Sequence, residues 1–147
     1  MLPENLPEVF LDTDIAFDII SKREPHFTTS ILILQLAAEG KIRLSISESC
    51  LANLFYLSFD IYKLEDAASK LSDFISACQL MPSGKQIALW ALESAFKDKE
   101  DALQYFTAVY TNSQYFITRN VKDYKPKSAT IPICTPTQFI KIFDTKE

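Results

Sequence analysis

The segment Val9-Phe10-Leu11-Asp12-Thr13-Asp14 starts with three apolar residues and then changes abruptly to acids and a hydroxyl. A short apolar run of this kind predicts a buried strand. Asp12 then stands directly at its carboxyl end. The apolar positions of residues 14–21 have the spacing of a helix. A buried strand followed at once by a helix indicates a parallel α/β fold.

The rest of the chain continues this alternation of short strands and amphipathic helices. We predict further strands over 42–46, 79–81, 115–118 and 131–134 and helices over 25–39, 47–59, 64–77, 85–96, 98–110 and 135–143. Pro132 predicts that the last strand lies at an edge. The expected fold class is an α/β three-layer sandwich: a mostly parallel sheet of four or five short strands with helices on both faces. We expect one domain over residues 1–147.

Composition excludes several kinds of chemistry. With only 2 glycines and 1 histidine in 147 residues, neither a glycine-rich phosphate loop nor a multi-histidine zinc site is expected. Carboxylates, amides and hydroxyls remain, and these are the ligands of Mg²⁺ or Mn²⁺. The 3 cysteines lack any close pair and predict reduced thiols. With no signal peptide and no apolar run of membrane length, we expect a cytoplasmic protein without a membrane partner.

Acidic and amide residues recur where predicted strands end or helices begin. Asp12 follows the first strand, Asp98 and Asp101 open a helix, and Asn120 and Asp123 follow the strand over 115–118. Each has a simpler explanation, since Asp at a helix start is a common cap and Asn favours turns. Because active groups in parallel sheets gather at the carboxyl ends of strands, their shared position predicts one site.

Four motifs in this order resemble the PIN-domain family, and specifically its branch of VapC-like toxins. They cover most of the chain: Phe10-Leu11-Asp12-Thr13-Asp14, Lys97-Asp98-Lys99-Glu100-Asp101-Ala102-Leu103-Gln104, Ile117-Thr118-Arg119-Asn120-Val121-Lys122-Asp123-Tyr124 and Ile133-Cys134-Thr135-Pro136-Thr137-Gln138-Phe139. The resemblance implies a Mg²⁺- or Mn²⁺-dependent endoribonuclease that is the toxin of a toxin–antitoxin pair.

The resemblance also implies roles for individual residues. Asp12, Asp101 and the Asn120 position are expected around the metal ion, with Asp98 and Asp123 in support. A second group is expected to bind the RNA backbone or the metal ligands: Thr13, Thr118, Arg119 and Lys122. The last two belong to a basic stretch that continues through Lys125 and Lys127.

Two positions depart from the family pattern. Asn53 stands ahead of Leu54-Phe55-Tyr56, where relatives commonly carry a glutamate, and Asn120 stands where many carry an aspartate. Both are kept in the predicted catalytic set, because an amide can orient water. Glu48 is nearby in sequence, but five positions back it lies well round the helix from Asn53 unless it belongs to the preceding turn. Fewer negative charges predict weaker metal binding.

Two other interpretations stay open. The first is a catalytically weak PIN-like module that binds RNA or a protein. The second is a purely structural helical bundle, which the acids at the strand ends disfavour. The resemblance further implies a homodimer and a small antitoxin partner. An aromatic set at helical spacing offers a surface for such a partner or else belongs to the core: Phe55, Tyr56, Phe59 and Tyr62.

Overall fold

The computed structural model describes residues 5–124 and 131–146. It contains a five-stranded parallel sheet in the order β3-β2-β1-β4-β5. The strands are β1 Glu8–Leu11, β2 Arg43–Ser47, β3 Gln79–Met81, β4 Tyr115–Ile117 and β5 Ile133–Cys134. The predicted fold class and the edge position of the last strand are therefore confirmed. The helical-bundle interpretation is wrong.

Eight α-helices accompany this sheet in the part of the chain that the structure describes. They are α1 Thr13–Ser21, α2 Phe27–Ala38, α3 Leu51–Phe55, α4 Ala67–Ser76, α5 Gly84–Glu93, α6 Lys99–Tyr110, α7 Val121–Tyr124 and α8 Pro136–Lys146. None of them combines the length and apolarity of a membrane span. The helix predicted over 47–59 is instead composite: a 3-10 turn over Glu48–Cys50, then α3, then a π-helix over Tyr56–Ile61.

Side chains of the central strand alternate between two apolar layers. Val9 and Leu11 lie in one core with α1, α2 and α8, whereas Phe10 lies in the other with α5 and α6. Phe10 stacks on Phe116 of β4 at a ring-centroid distance of 5.5 Å. All of these strand residues are fully buried. The alternation follows from the two-residue period of a strand, and it fixes the register of β1 against its neighbours.

Two further expectations about side chains have different outcomes. The cysteines are free, as predicted, with Cys50 and Cys134 buried and Cys78 partly buried. The aromatic set of α3 and the π-helix is not core: Phe55, Tyr56, Phe59 and Tyr62 are between 43% and 53% exposed. The core interpretation of these four residues is therefore wrong. Phe55, Tyr56 and Phe59 project outward because Leu54 and neighbouring residues already form the apolar face of this segment. Tyr62 is half exposed, but its ring packs on the buried Phe17 at a centroid distance of 5.0 Å and its hydroxyl accepts from Arg23 at 2.9 Å.

Candidate metal centre

Asp12 lies at the carboxyl end of β1, with its carboxylate turned toward β4. It occupies the N-cap position of α1, yet its side chain makes no capping bond. Instead its Oδ2 accepts hydrogen bonds from the Thr118 hydroxyl at 2.7 Å and the Tyr124 hydroxyl at 3.4 Å. The simple capping explanation for Asp12 therefore does not hold.

The pKa of Asp12 is raised from its ordinary value. Burial is the largest cause, because it disfavours the charged carboxylate, and the charge of Asp14 acts in the same direction. The hydrogen bond from Thr118 opposes the shift by stabilising the anion. With an exposed fraction of only 4%, Asp12 is a carboxylate held in place at an energetic cost.

Asp101, the third residue of α6, shares this environment. Its pKa is raised to about 7, first by burial and then by the charges of Asp12 and Asp98, with a smaller effect of Asp123. The Tyr124 hydroxyl bonds to Asp101 as well as to Asp12. Two acids that are distant in sequence therefore meet at one buried tyrosine, and the charge of Asp12 makes Asp101 harder to ionise.

Asp98 does cap its helix. Its Oδ1 accepts hydrogen bonds from the backbone N–H groups of Glu100 at 2.9 Å and Asp101 at 3.2 Å. Its charge still reaches Asp101, since it contributes to the raised pKa of that carboxyl. Asp98 thus positions the first turn of α6, which carries Asp101.

Asn120 and Asp123 lie at the outer side of the acids and are exposed. The Asn120 amide lies 3.5 Å from Asp14 Oδ2, which is a long hydrogen bond. Asp123 and Lys122 line a cleft together with Asp98 and Asp101. This cleft is the solvent-facing entrance to the acidic pair.

A small cavity adjoins the acids on the side of α3. It has a volume of about 50 Å³, enough for water, and its lining includes Thr13, Asn53, Glu100 and Gln104. Both the backbone N–H and the hydroxyl of Thr13 donate to Gln104 Oε1, at 2.8 and 3.0 Å. Because Asn53 and Thr13 line the same cavity, the neutral amide of Asn53 lies near the first residue of α1.

The remaining predicted residues occupy different positions. Thr118 is fully buried, and its hydroxyl bonds to Asp12 and accepts from the Asn120 N–H, at 3.1 Å. Arg119 points away from the acids, where its Nε forms an ion pair with the buried Asp18 at 3.0 Å. Lys125 and Lys127 lie outside the described residues.

Sequence reasoning missed two participants, Tyr124 and Gln104, and it also missed Asp18, the partner of Arg119 away from the acids. A weak signal existed for Gln104, which follows Asp101 by three positions and so lies on the same helical face. Tyr124 directly follows Asp123, but only tertiary structure places its hydroxyl between two carboxyl groups. Asp18 gave no signal beyond being a charged residue in a mostly apolar helix.

Asp12 and Asp101 fit a divalent ion such as Mg²⁺ as two of its ligands, but they do not form a complete cage. Within residues 5–124 and 131–146, no group of three or more His, Cys, Asp and Glu side chains is close enough to form a complete cage. Mg²⁺ commonly binds through one or two carboxylates and completes its shell with water and substrate phosphates. Asp12 and Asp101 supply two repelling carboxylates, and a dication would relieve that repulsion.

Comparison with known proteins places this geometry in a family. Ribonuclease VapC1 of Aquifex aeolicus is 25% identical over 146 residues, covering 96% of this chain and 99% of the relative. The VapBC2 structure from Rickettsia felis, bound to a promoter DNA fragment, has a TM-score of 0.65 at 23% identity, covering 85% of this chain and 96% of that one. DNA-bound VapBC from Salmonella typhimurium also gives 0.65, at 21% identity, with coverage of 87% and 97%.

A third solved structure has the same fold at lower sequence similarity. Mycobacterium tuberculosis VapC20, described as a sarcin–ricin loop cleaving toxin, has a TM-score of 0.58 at 12% identity, covering 74% of this chain and 86% of that one. The PIN domain family itself matches residues 8–122, the range that runs from β1 to the Asn120 region. This chain belongs to the PIN domain family.

Proposed function

We propose that this chain is a Mg²⁺- or Mn²⁺-dependent endoribonuclease and the toxin of a toxin–antitoxin pair. The observation that carries the proposal is the meeting of Asp12 and Asp101 at one partly buried point, where the pKa of Asp101 is raised to about 7. The full-length similarity to a protein named ribonuclease VapC1 supports it.

In this proposal Asp12 and Asp101 hold the metal ion, with Asp98, Asp123 and Asn120 around it. When bound, such an ion lowers the pKa of water and stabilises negative charge on a phosphodiester. Because the pKa of Asp101 is raised to about 7, this carboxyl is partly protonated near neutral pH and would release that proton on metal binding.

The chain's own side chains orient this pair. Thr118 donates to Asp12 Oδ2 and so holds this carboxylate in one orientation. Gln104 accepts from both groups of Thr13 and thereby links the start of α1 to α6. Lys122 lies on the wall of the cleft that contains Asp98 and Asp101, where its ammonium group can attract an RNA phosphate.

Cleavage of RNA tests the proposal directly. Wild-type protein should cut RNA when Mg²⁺ or Mn²⁺ is added and stop when EDTA is added. Asp12→Asn should reduce the rate by a factor of at least about 100, because a neutral amide is a poor ligand and the remaining acid holds the ion weakly. Asp73→Asn, a change at an exposed acid on α4, is the matched control and should cut normally.

A second candidate function is a PIN-like module that binds RNA or protein without cutting. The neutral amides of Asn53 and Asn120, in the places of family acids, favour it. RNA binding without metal-dependent cleavage by the wild-type protein would support this alternative and reject the nuclease. Cleavage that Asp12→Asn leaves unchanged would also reject the proposed site.

We further propose a homodimer and an antitoxin partner in the cytoplasm. The exposed aromatic side chains of α3 and the π-helix provide an apolar surface for one of them: Phe55, Tyr56, Phe59 and Tyr62. Light scattering of the purified chain tests the dimer, since a monomer mass at micromolar concentration would contradict it.

A further inference from the structure

A second cleft lies between α2 and α8, outside the acidic centre. Its lining includes His26, Thr29, Ser30, Arg119 and Thr137, and its volume of about 400 Å³ is in the range of ligand sites. We propose that it binds a backbone phosphate of the RNA strand whose scissile bond lies at Asp12 and Asp101. This inference rests on the proposed function and names how the substrate is held.

The charges at this cleft leave one cation in excess. Asp18 is fully buried; its Oδ1 accepts from Arg23 Nε at 3.2 Å and Nη2 at 3.1 Å, and its Oδ2 forms the ion pair with Arg119. One carboxylate is thus shared by two guanidinium groups. The group nearer the cleft is Arg119, and the excess positive charge favours an anion there.

Arg119 is also oriented by His26. Its Nη1 lies 3.1 Å from His26 Nε2, and since a guanidinium can only donate, the imidazole nitrogen is the acceptor. One of the five N–H donors of Arg119 is therefore directed at His26, whereas its Nε lies 3.0 Å from Asp18 Oδ2 as an ion pair without hydrogen-bond geometry. The geometry holds the planar group in place with donors left for a ligand, which is the arrangement that suits a phosphate.

Ser30 gives an independent indication of a ligand. Its side chain is fully buried on the cleft wall, and its hydroxyl has no hydrogen-bond partner among the described residues. A buried hydroxyl without a partner is unfavourable, so such groups normally bond to protein, water or ligand. A phosphate oxygen in the cleft would be a partner for this hydroxyl.

The first turn of α8 adds a favourable dipole. This helix of 11 residues begins at Pro136 on the cleft wall. Its Gln138 N–H already bonds to the Thr135 hydroxyl at 3.1 Å, so the helix contributes its field more than free donors.

The cleft is linked to the acidic centre through lining residues that neighbouring clefts share. Arg119 and Thr135 also line an adjoining cleft that contains Asn120, Lys122 and Asp123. Lys122 and Asp123 in turn line the cleft of Asp98 and Asp101. A single strand can therefore run from the acids past Lys122 to Arg119. The cations and hydroxyls along this route suit a sugar–phosphate chain better than an apolar peptide segment.

A negative charge introduced at the cleft wall tests the inference without disturbing the fold. Thr137→Asp places an acid in the first turn of α8, a favourable position for helix stability. At low salt and in EDTA, its affinity for a short fluorescent single-stranded RNA should fall roughly three- to tenfold by anisotropy. Ala68→Asp makes the same change at the second residue of α4, on the other edge of the sheet, and should bind like wild type.

A variant without a change of charge tests the hydrogen bond to the phosphate separately from the electrostatic attraction. Ser30→Ala removes the unpartnered hydroxyl and should weaken RNA binding roughly threefold with no loss of thermal stability. Ser58→Ala, at another fully buried hydroxyl without a partner among the described residues, is the control with unchanged affinity.

The outcomes separate this inference from the proposed function. Three results would each overturn the phosphate site: equal affinity of wild type, Thr137→Asp and Ser30→Ala; losses of affinity in the two controls as large as those in the test variants; or no RNA binding by wild type. The Asp18–Arg119–His26 cluster would then be only a structural link. RNA binding that depends on Thr137 and Ser30 but is not followed by metal-dependent cleavage would retain the phosphate site and reject the nuclease.

Discussion

At the scale of single residues, the acids at two helix starts behave differently. Asp98 accepts two backbone hydrogen bonds from its own helix, whereas Asp12 makes no such bond and faces Thr118 and Tyr124. A cap lowers the free energy of the fold, but a buried acid beside a second acid raises it. Asp12 and Asp101 are therefore positioned at a cost to stability, which is typical of functional groups.

Asp101→Asn should stabilise the metal-free protein at high pH. The folded pKa of Asp101 is raised to about 7, well above its ordinary range, so the folded state holds this proton more tightly than the unfolded state. The associated stability is fully present below the unfolded pKa and is lost as the pH rises through about 7. An asparagine has no proton to lose.

Thermal unfolding in EDTA measures this effect. Near pH 8 the variant should unfold roughly 2–4 °C above wild type, corresponding to about 1 kcal/mol after allowance for the exposed part of the carboxyl. Near pH 4 the difference should disappear. A variant that is less stable than wild type at both pH values would contradict the assigned electrostatics.

At the scale of elements, local sequence patterns predicted the helices and strands better than they predicted the side-chain contacts between them. All five strands and most of the helices follow from apolar spacing, since a buried strand and an amphipathic helix have distinct periods. The four-residue helix α7, Val121–Tyr124, is too short to be predicted in this way. The π-helix over Tyr56–Ile61 was not predictable, because its widened turn depends on packing rather than on composition. The bonds of Gln104 and Tyr124 join elements distant in sequence, so no local pattern encodes them.

The cap of α6 can be separated from its charge. Asp98→Ala should lower stability by about 1 kcal/mol, because the N–H groups of Glu100 and Asp101 lose their acceptor. Asp98→Asn keeps a good cap and removes the charge. If Asp98 supports the metal, the asparagine variant should need more Mn²⁺ for cleavage while unfolding at the wild-type temperature. Equal metal requirements for Asp98→Asn and wild type would limit Asp98 to capping.

At the scale of the whole molecule, topology assembles the site. β1 lies between β2 and β4, so the carboxyl end of the first strand meets residues that follow the fourth. Asp12 and Thr118 are separated by 106 positions in sequence yet lie 2.7 Å apart. The general location of the site followed from the sequence, since strand ends gather at one edge. Which residues form the site did not follow from the sequence, because Arg119 pairs with the buried Asp18 instead of facing the acids. The single-domain organisation over 1–147 stays a prediction.

Titration with Mn²⁺, followed by thermal unfolding, is the most direct measurement of whether Asp12 and Asp101 together hold a divalent ion. Saturation of wild type at 100 times the dissociation constant should add about 2.7 kcal/mol of stability and raise the unfolding temperature by several degrees. Asp73→Asn should respond like wild type, and Asp12→Asn and Asp101→Asn should respond little. An equal rise in all four proteins, or none in wild type, would contradict the account.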